Sequence, residues 1–300
     1  MCWLEKMNSV IEYIEKNLDN EISLNKIAEI SCYSVTTFQR MFSIICDMSL
    51  SSYIRHRRLT LAAFELQNSN IKIVDLAAKY NYESPEAFTR AFHSLHGVSP
   101  SVARQMGISL KAYPRISFHL SLKGDVVMDY RIEQKEGFEI YGIERIISTE
   151  NESNWKEIPD FWMEIVSNGM LDKLIQSTNV PIPEEGLNLI NAIDCYRTTR
   201  NDTIPYMVFA LKTDKSDVEG YTVVNIPSAT WAVFKSELHT VEETSKALTG
   251  LIKRIYTDWL PTANYTKVEN YELELTYKCK DKYYSEIWVP VMPNTDFLMQ

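Results

Sequence analysis

The first third of the chain carries an apolar periodicity of three to four residues, broken into short segments. Over residues 38–45 the apolar side chains recur at i, i+3, i+4 and i+7, as they do on one face of an α-helix. Ser34 and Ser49 each precede such a segment and suit the N-cap position, where a hydroxyl accepts a backbone N–H. Residues 3–105 are therefore predicted to be helical throughout, in a series of separate segments.

The pattern of this segment is repeated 50 residues further along the chain. The matched residues are Ser34, Phe38, Arg40, Phe42 and Ser49 in the first copy and Ser84, Phe88, Arg90, Phe92 and Ser99 in the second. Pro85 and Pro100 directly follow their serines, at the N1 position where a missing N–H is harmless. Each copy follows a short helix and a tight turn, and one long helix joins the copies. This order predicts tandem helix-turn-helix units.

Beyond residue 128 the pattern changes to period-two alternation interrupted by two amphipathic helices. The predicted elements are strands 130–135 and 138–147, helix 160–175, strands 187–195, 206–212, 221–226 and 230–236, helix 241–259, and strands 271–277 and 284–291. Their order, ββαββ twice, predicts an α+β domain with pseudo-twofold symmetry, and a cleft between such halves is a usual ligand site. We therefore expect a multi-domain chain: an all-α domain at 1–107, a linker at 108–127 with a strand-like stretch at 116–122, and an α+β domain at 128–300.

Composition adds a charge asymmetry to this division. The 300 residues are 45% apolar and carry a net charge of −9, but residues 1–112 have a net charge of +1 and residues 113–300 of −10. Such an asymmetry suggests two roles. No apolar run reaches the roughly 18 residues of a membrane span, and the charged first twenty residues are unlike a signal peptide, so a cytoplasmic protein without a membrane partner is expected. The five scattered cysteines and the absence of nucleotide-binding or esterase motifs predict no metal and no cofactor.

The two capped helices of the repeat have the residue types of recognition helices, which bury one face and present polar side chains to base edges. Gln39 can form a bidentate pair with adenine, and Arg40 can bond guanine or a phosphate. Glu86 can accept a hydrogen bond from cytosine N4, but a phosphate would repel it. The second helix is therefore expected to contribute less to sequence recognition. The outward candidates are Val35, Thr36, Thr37, Gln39, Arg40 and Ser43 on the first helix and Glu86, Thr89, Arg90 and His93 on the second, with Arg55 as a phosphate contact. The alternative is a small helical bundle whose polar faces are only solvated. The presence of two copies with matched residues favours DNA binding over this alternative.

These motifs resemble the DNA-binding domain of the AraC/XylS transcription activators, and within it the Rob/MarA/SoxS group. The similarity covers about residues 1–105, through Tyr33-Ser34, Phe38–Phe42 and Ser49-Leu50 and again through Ile73–Ala77, Ser84-Pro85 and Gly97–Pro100. It implies promoter DNA and RNA polymerase as partners, and base contacts from Thr36, Gln39, Arg40, Pro85, Glu86, Thr89 and Arg90. The turns of the family usually carry Gly where this chain has Cys32 and Asn81. We expect the first turn to be built differently, since Cys adopts a left-handed backbone less often than Asn.

The last predicted strand places a carboxylate between two aromatic rings. Tyr284, Glu286 and Trp288 share one face by alternation. If this face is enclosed, it suits a lipophilic cation through charge pairing and cation–π attraction. A solvent-exposed strand face, on which Glu286 is hydrated and the aromatic residues form cross-strand pairs, explains the pattern about equally well. Glu272 and Glu274 alternate with apolar residues in the preceding strand and are expected on a solvated face without a ligand role.

Residues 126–293 are in turn similar to the GyrI-like small-molecule-binding domain. The similarity lies in Gly220-Tyr221, Trp231–Phe234, Trp259–Pro261 and Glu286–Val291. The similarity implies that Glu286 faces a ligand cleft. It also implies that aromatic residues line this cleft, from among Tyr141, Trp162, Tyr206, Trp231, Tyr284 and Trp288. The combined hypothesis is a DNA-binding transcription regulator, an activator rather than an enzyme, that responds to a small hydrophobic cation. The alternatives are a GyrI-like hydrolase of reactive small molecules, with Glu286 and a tyrosine as base and acid, and a protein that sequesters compounds.

Overall fold

The computed structural model divides the chain into two compact units. It describes residues 3–105, 107–119, 128–149, 154–199, 203–268 and 271–293. The first unit comprises Met1–Phe38 and Met48–His119, and the second comprises Gln39–Asp47 and Leu120–Gln300. Within the described ranges, no helix is both long and apolar enough to span a bilayer.

The N-terminal third is helical, as its periodicity predicts. The helices are α1 (Trp3–Lys16), α2 (Leu24–Ser31), α3 (Val35–Cys46), α4 (Leu50–Asn68), α5 (Ile73–Lys79), α6 (Pro85–His96) and α7 (Pro100–Ala103). The predicted serine caps are confirmed, because Ser34, Ser49 and Ser84 each accept the N–H of the third residue that follows, at 3.1–3.2 Å. The pairs α2–α3 and α5–α6 are the two helix-turn-helix copies, and α4 joins them.

The turns of the two copies have the same backbone conformation. Cys32 has φ 59° and Asn81 has φ 60°, both in the left-handed region. The expectation that the first turn is built differently is therefore wrong. The chain places an exposed cysteine where a left-handed residue is required, at a conformational cost that glycine would not have.

The segment expected to link the domains packs in part on the first unit. The backbone N–H of Phe118 donates to Asn8 at 2.9 Å, and the Asn8 amide donates to the carbonyl of Phe118 at 2.8 Å. Tyr113 stacks on His56 with ring centroids 4.2 Å apart. Residues 107–119 contain no strand, and the rest of the strand-like stretch lies outside the described residues.

The C-terminal part is an α+β domain with the predicted order of elements. These are β1 (Tyr130–Lys135), β2 (Phe138–Ser148), α8 (Asn154–Ser167), α9 (Met170–Ser177), β3 (Gly186–Leu187), β4 (Ile190–Asp194), β5 (Thr203–Leu211), β6 (Thr222–Ile226), β7 (Ala229–Lys235), α10 (Thr244–Arg254), a π-helical turn (Ile255–Trp259), β8 (Tyr265–Lys267), β9 (Glu272–Cys279) and β10 (Lys282–Pro293).

One antiparallel sheet, in the order β1-β7-β10-β9-β4-β5-β2-β6, expresses the pseudo-twofold symmetry. Strands β4 and β9 pair at its centre, and the order of strands outward from them is equivalent in both halves. The outermost strands are exchanged, since β1 pairs with β7 of the other half and β6 pairs with β2. The predicted duplication is confirmed, with this exchange added to it.

The sheet has two different apolar faces. Tyr206 and Val208 of β5 pack with α8 and α9 on one face, which we call the helix face. Met207 and Phe209 lie on the opposite face with Trp231 and other residues of β7, β9 and β10. In β2 a Cβ atom at Gly142 would lie 2.0 Å from the carbonyl oxygen of Val208, so only glycine allows this approach of β2 to β5.

Candidate DNA-binding surface and ligand cavity

The second helix-turn-helix copy presents polar side chains on the surface. Glu86 and Arg90 of α6 are exposed, and Pro85 and Thr89 are half-buried. The Thr89 hydroxyl donates to the carbonyl of Pro85 at 2.7 Å, so it is bonded within its own helix. The exposed face of α6 therefore offers one carboxylate and one guanidinium at its first two turns.

The equivalent helix of the first copy is more buried than its pattern predicts. Phe38, Met41 and Phe42 are fully buried, as expected. Of the residues expected to point outward, Thr37, Gln39, Arg40 and Ser43 are also buried, and Val35 and Thr36 are half-buried. Residues 39–47 belong to the second unit, and Arg40 forms ion pairs with Asp194 and Glu272 of that unit.

The basic residues of α4 have different partners from one another. Arg55 is exposed, in keeping with a phosphate contact. Arg57 makes a two-pronged ion pair with Glu15, at 2.7 and 2.9 Å, and Arg58 donates to the carbonyls of Leu18 and Asn20. The last two arginines therefore hold the first unit together.

A cavity of about 760 Å³ lies over the centre of the sheet on its helix face, within the usual size range of small-molecule sites. Its walls include Trp162 and Leu171 from the α8–α9 side, Leu248 and Ile252 from α10, and Arg40 and Ile44. Its floor includes Asp194 of β4, Tyr206 of β5 and Glu274 of β9. We call this space the effector cavity.

Three acidic residues on the central strands form a buried group, which we call the carboxylate cluster: Asp194, Glu272 and Glu274. The register pairs Asp194 with Glu272 and Ala192 with Glu274, so all three point to the helix face. Asp194 and Glu272 are at most 1% exposed, and the Glu274 side chain is 13% exposed. The expectation that Glu272 and Glu274 lie on a solvated strand face is wrong, because β9 is a central strand with both faces covered.

Two cations compensate the carboxylate cluster. Arg40 Nη1 donates to Glu272 Oε2 at 2.9 Å, and Arg40 Nη2 forms an ion pair with Asp194 Oδ2. Lys267 Nζ lies 2.5 Å from Glu272 Oε1 and 2.9 Å from the Tyr256 hydroxyl. Glu274 is held more loosely, 3.8 Å from Arg40 Nη2 and 3.4 Å from the Tyr206 hydroxyl.

The three carboxyl groups differ in acidity for this reason. Burial raises the pKa of Glu274, and the neighbouring Asp194 charge raises it further against the effect of Arg40. Burial opposes ionisation of Glu272 as well, but Lys267 and Arg40 hold its pKa below the usual range. Burial also raises the pKa of Asp194, against the effect of Arg40. Asp194 and Glu274 are therefore the members of the cluster whose ionised forms gain from an added cation.

The effector cavity includes two of the seven residues predicted to bind a ligand. Trp162 and Tyr206 line it, and the indole N–H of Trp162 donates to the Tyr206 hydroxyl at 3.1 Å. Tyr141 lies on the same face of the sheet but is fully buried, with its hydroxyl 3.1 Å from Ser177 Oγ in α9. The remaining four are Glu286, Tyr284, Trp288 and Trp231, and they lie elsewhere.

Glu286 and the aromatic residues that alternate with it point to the opposite face of the sheet. The register pairs Trp288 with Leu273, which packs on that face, and Glu286 with Leu275. Glu286 is 3% exposed. Its carboxylate accepts hydrogen bonds from both terminal nitrogens of Arg131, at 2.7 and 3.0 Å. Because Glu286 lies on the opposite face of the sheet, the structure does not bring it together with the effector cavity.

Asp194 and Glu274 were not predicted as site residues, although the pattern around Glu274 carries one signal. Carboxylates at alternate positions of a strand, with apolar residues between them, are typical of an edge or half-exposed strand. They are unusual in a central strand, where burial is costly unless charge is compensated. The central place of β9, which the sequence does not state, turns this ordinary pattern into a site.

Comparison with known proteins assigns each part of the chain. Residues 131–291, more than half of the chain, match the family of integron-associated effector binding proteins. Residues 27–106 match a family of helix-turn-helix domains. A solved structure of SAV2435 bound to tetraphenylphosphonium covers 55% of this chain and 94% of its own, with a TM-score of 0.43 and 18% identity.

Two proteins of established name are similar to the N-terminal part of the chain. The HTH-type transcriptional activator AarP of Providencia stuartii is 41% identical over 98 residues, which are 33% of this chain and 73% of AarP. The multiple antibiotic resistance protein MarA of Salmonella typhimurium is 40% identical over 94 residues, which are 31% of this chain and 74% of MarA. The chain therefore belongs to the AraC-type helix-turn-helix transcriptional regulators and carries, over residues 131–291, an effector-binding domain of the integron-associated effector binding protein family.

Proposed function

We propose that this regulator is a transcription activator of the cytoplasm, controlled by a small hydrophobic cation that binds in the effector cavity. The observation that carries the proposal is Glu274, a carboxyl group at the floor of a largely apolar cavity and loosely paired with its nearest cation. Trp162 and Tyr206 beside it supply aromatic faces for an apolar cation. The desolvation free energy of a cation is partly offset in this cavity, because the carboxylate of Glu274 compensates the charge of the ligand.

The role of the carboxylate is tested with three naphthalene derivatives of similar size. The probes are N,N,N-trimethyl-2-naphthylammonium, 2-acetylnaphthalene and 2-naphthoate, titrated into the full chain by calorimetry. Affinity is expected to fall in that order, from cation to neutral ligand to anion. Glu274→Gln is expected to remove most of this ranking. Glu286→Gln, in which a carboxyl on the opposite face of the sheet changes, is expected to preserve it.

Two results of this titration contradict the proposal. Equal binding of the three probes by the unchanged chain means that the cavity does not select charge. Loss of the ranking in Glu286→Gln but not in Glu274→Gln restores the hypothesis drawn from the sequence pattern and moves the site to the other face.

DNA binding is proposed to use α3 and α6 in two adjacent stretches of major groove. The proposed contacts are Val35, Thr36, Thr37, Gln39, Arg40, Ser43, Arg55, Pro85, Glu86, Thr89 and Arg90. Two recognition helices in one chain supply what other helix-turn-helix proteins obtain by dimerising, so footprinting is expected to show two protected patches about 10 bp apart. A single compact patch contradicts this arrangement.

Individual contacts are separated by substitution. Gln39→Ala and Arg40→Ala are expected to weaken specific binding by roughly 1–3 kcal/mol each, as loss of a bidentate base contact does. Arg55→Ala is expected to weaken binding to all sequences evenly, since a phosphate carries no sequence information. An Arg40→Ala variant that still separates operator from random DNA equally well shows that Arg40 reads no base.

Activation requires RNA polymerase as a further partner. In transcription with purified polymerase, the full chain is expected to increase transcript yield from a promoter that carries its operator. A decrease in yield identifies a repressor and contradicts this part of the proposal.

A further inference from the structure

The guanidinium of Arg40 occupies the carboxylate cluster as a bound cation does. The residue is 8% exposed and reaches the cluster from the segment 39–47. Its two terminal nitrogens bond different acids, Nη1 to Glu272 and Nη2 to Asp194. A planar fork of N–H donors is the group that matches such a pair of carboxylates.

The cluster has acceptor capacity that Arg40 leaves unused. Asp194 Oδ1 is buried and accepts no hydrogen bond from an N–H or O–H group in the described part of the chain. Glu274 Oε1 lies 3.8 Å from Arg40 Nη2, beyond hydrogen-bond distance. Both oxygens belong to residues that line the effector cavity. A donor arriving through the cavity thus finds acceptors that the internal arginine does not satisfy.

We propose that the carboxylate cluster is a binding site for guanidinium and amidinium groups, that Arg40 is its internal occupant, and that an effector of this chemical class displaces Arg40. The inference rests on the proposed function, because it assumes that the effector binds in this cavity. It goes further by naming the cationic group and the residue with which that group competes.

The hydrogen-bond donors of the ligand decide the class. A quaternary ammonium ion offers charge alone, whereas an amidinium also offers N–H groups directed at two carboxylates, and charge-assisted pairs of this kind are roughly twice as strong as neutral ones. When Arg40 leaves, Glu272 keeps Lys267, but Asp194 loses the cation bonded to it. A buried carboxylate without a partner is costly, so a ligand that restores N–H donors is favoured over one that restores charge only.

Displacement also has a consequence for DNA. Arg40 is a proposed base contact, and one guanidinium cannot bond the carboxylate cluster and a base at the same time. An amidinium ligand that occupies the cluster therefore favours the form of the chain in which Arg40 is available. By linkage, such a ligand and operator DNA each increase affinity for the other by one common factor.

The test compares 2-naphthamidine with N,N,N-trimethyl-2-naphthylammonium by calorimetry on the full chain and three variants. The unchanged chain is expected to bind the amidine at least about fivefold more tightly, as a donor-dependent site does. If Arg40 fills the cluster in at least nine-tenths of the molecules, Arg40→Ala raises amidine affinity at least about tenfold. Arg40→Lys is expected to lie between, because an ammonium cannot bond both acids as the fork does. Arg197→Ala, which removes an arginine paired with Glu144 outside the cavity, is the matched control and leaves affinity unchanged.

Each result bears on a different claim. Equal affinity for the two cations overturns the guanidinium class but leaves the proposed cationic effector intact. Unchanged amidine affinity in Arg40→Ala overturns the internal occupant. Failure of every probe to bind overturns the proposed function itself. If Arg40→Ala does not fold, as circular dichroism shows, Arg40→Lys decides, and an affinity equal to that of the unchanged chain overturns the internal occupant.

Discussion

Asp194→Asn is expected to increase the affinity of the chain for DNA in the absence of any ligand. Asp194 Oδ2 forms an ion pair with Arg40 Nη2, and both residues are buried. Asparagine keeps the size of the side chain and one oxygen acceptor but removes the charge. The substitution therefore weakens the attachment of Arg40 to the carboxylate cluster without opening a cavity.

The size of the effect follows from the bond that changes. A hydrogen bond to a charged group contributes about 1.5–3 kcal/mol and a neutral one about 0.5–1.5 kcal/mol. The difference of about 1–1.5 kcal/mol between these ranges shifts the equilibrium toward released Arg40 by roughly 5- to 13-fold. DNA affinity rises by up to this factor, depending on how rarely Arg40 is released in the unchanged chain.

The assay is fluorescence anisotropy with a labelled operator duplex selected from a random library by the full chain. Asp258→Asn is the matched control, because that side chain is 55% exposed and lies 3.7 Å from Arg254 rather than near Arg40. A variant that only loses stability binds DNA more weakly, so the expected gain has the opposite sign from a general defect. Unchanged or weaker DNA binding by a folded Asp194→Asn variant contradicts the claim that the Asp194 ion pair withholds Arg40 from DNA.

Three further predictions concern acidity and helix structure. Burial and the Asp194 charge raise the pKa of Glu274 to about 7. Because the ionised carboxylate is the form that binds a cation, the affinity for 2-naphthamidine should rise as the pH rises through this range. Calorimetry should show a rise of at most about tenfold per pH unit. A flat profile contradicts this. In Glu274→Gln the rise should be smaller and should lie at lower pH, because burial raises the pKa of Asp194, which lines the same cavity, to about 6. Cys32→Gly should raise the free energy of unfolding in urea by about 0.5–1 kcal/mol because glycine accepts the left-handed turn, whereas Asn81→Gly gains less; no difference between the two argues against turn strain. Ser84→Ala removes the cap of α6 and should cost about 1 kcal/mol in the same assay, with Ser84→Asp as the retained-cap control; equal stability of both variants contradicts the capping role.

The helical part of the fold could be predicted because its signals are local. Capping serines, proline at N1 and a helical apolar stripe each act within a few residues, and Ser34 and Ser84 occupy the expected positions. The burial of the outward face of α3 depends on residues far away in the chain. No periodicity within residues 35–46 contains that information.

The candidate site could be predicted only in part, because alternation does not say which face of a sheet the helices cover. Glu286 and Trp288 share a face, as the period-two pattern requires, but α8 and α9 pack on the other one. Strand order decides this, and it also places Glu274 at the centre of the sheet rather than on a solvated strand. Trp162 and Tyr206, two of the aromatic residues that the resemblance to the GyrI-like domain implied, line the cavity, whereas Tyr141 of the same half does not.

The most direct test of an effector-controlled regulator is the affinity for operator DNA with and without saturating 2-naphthamidine. We expect the unchanged chain to bind DNA more tightly in the presence of the amidine, and Glu274→Gln to show little change. DNA affinity that does not respond to the amidine, although calorimetry shows the ligand bound, contradicts the claim that the effector cavity controls DNA binding.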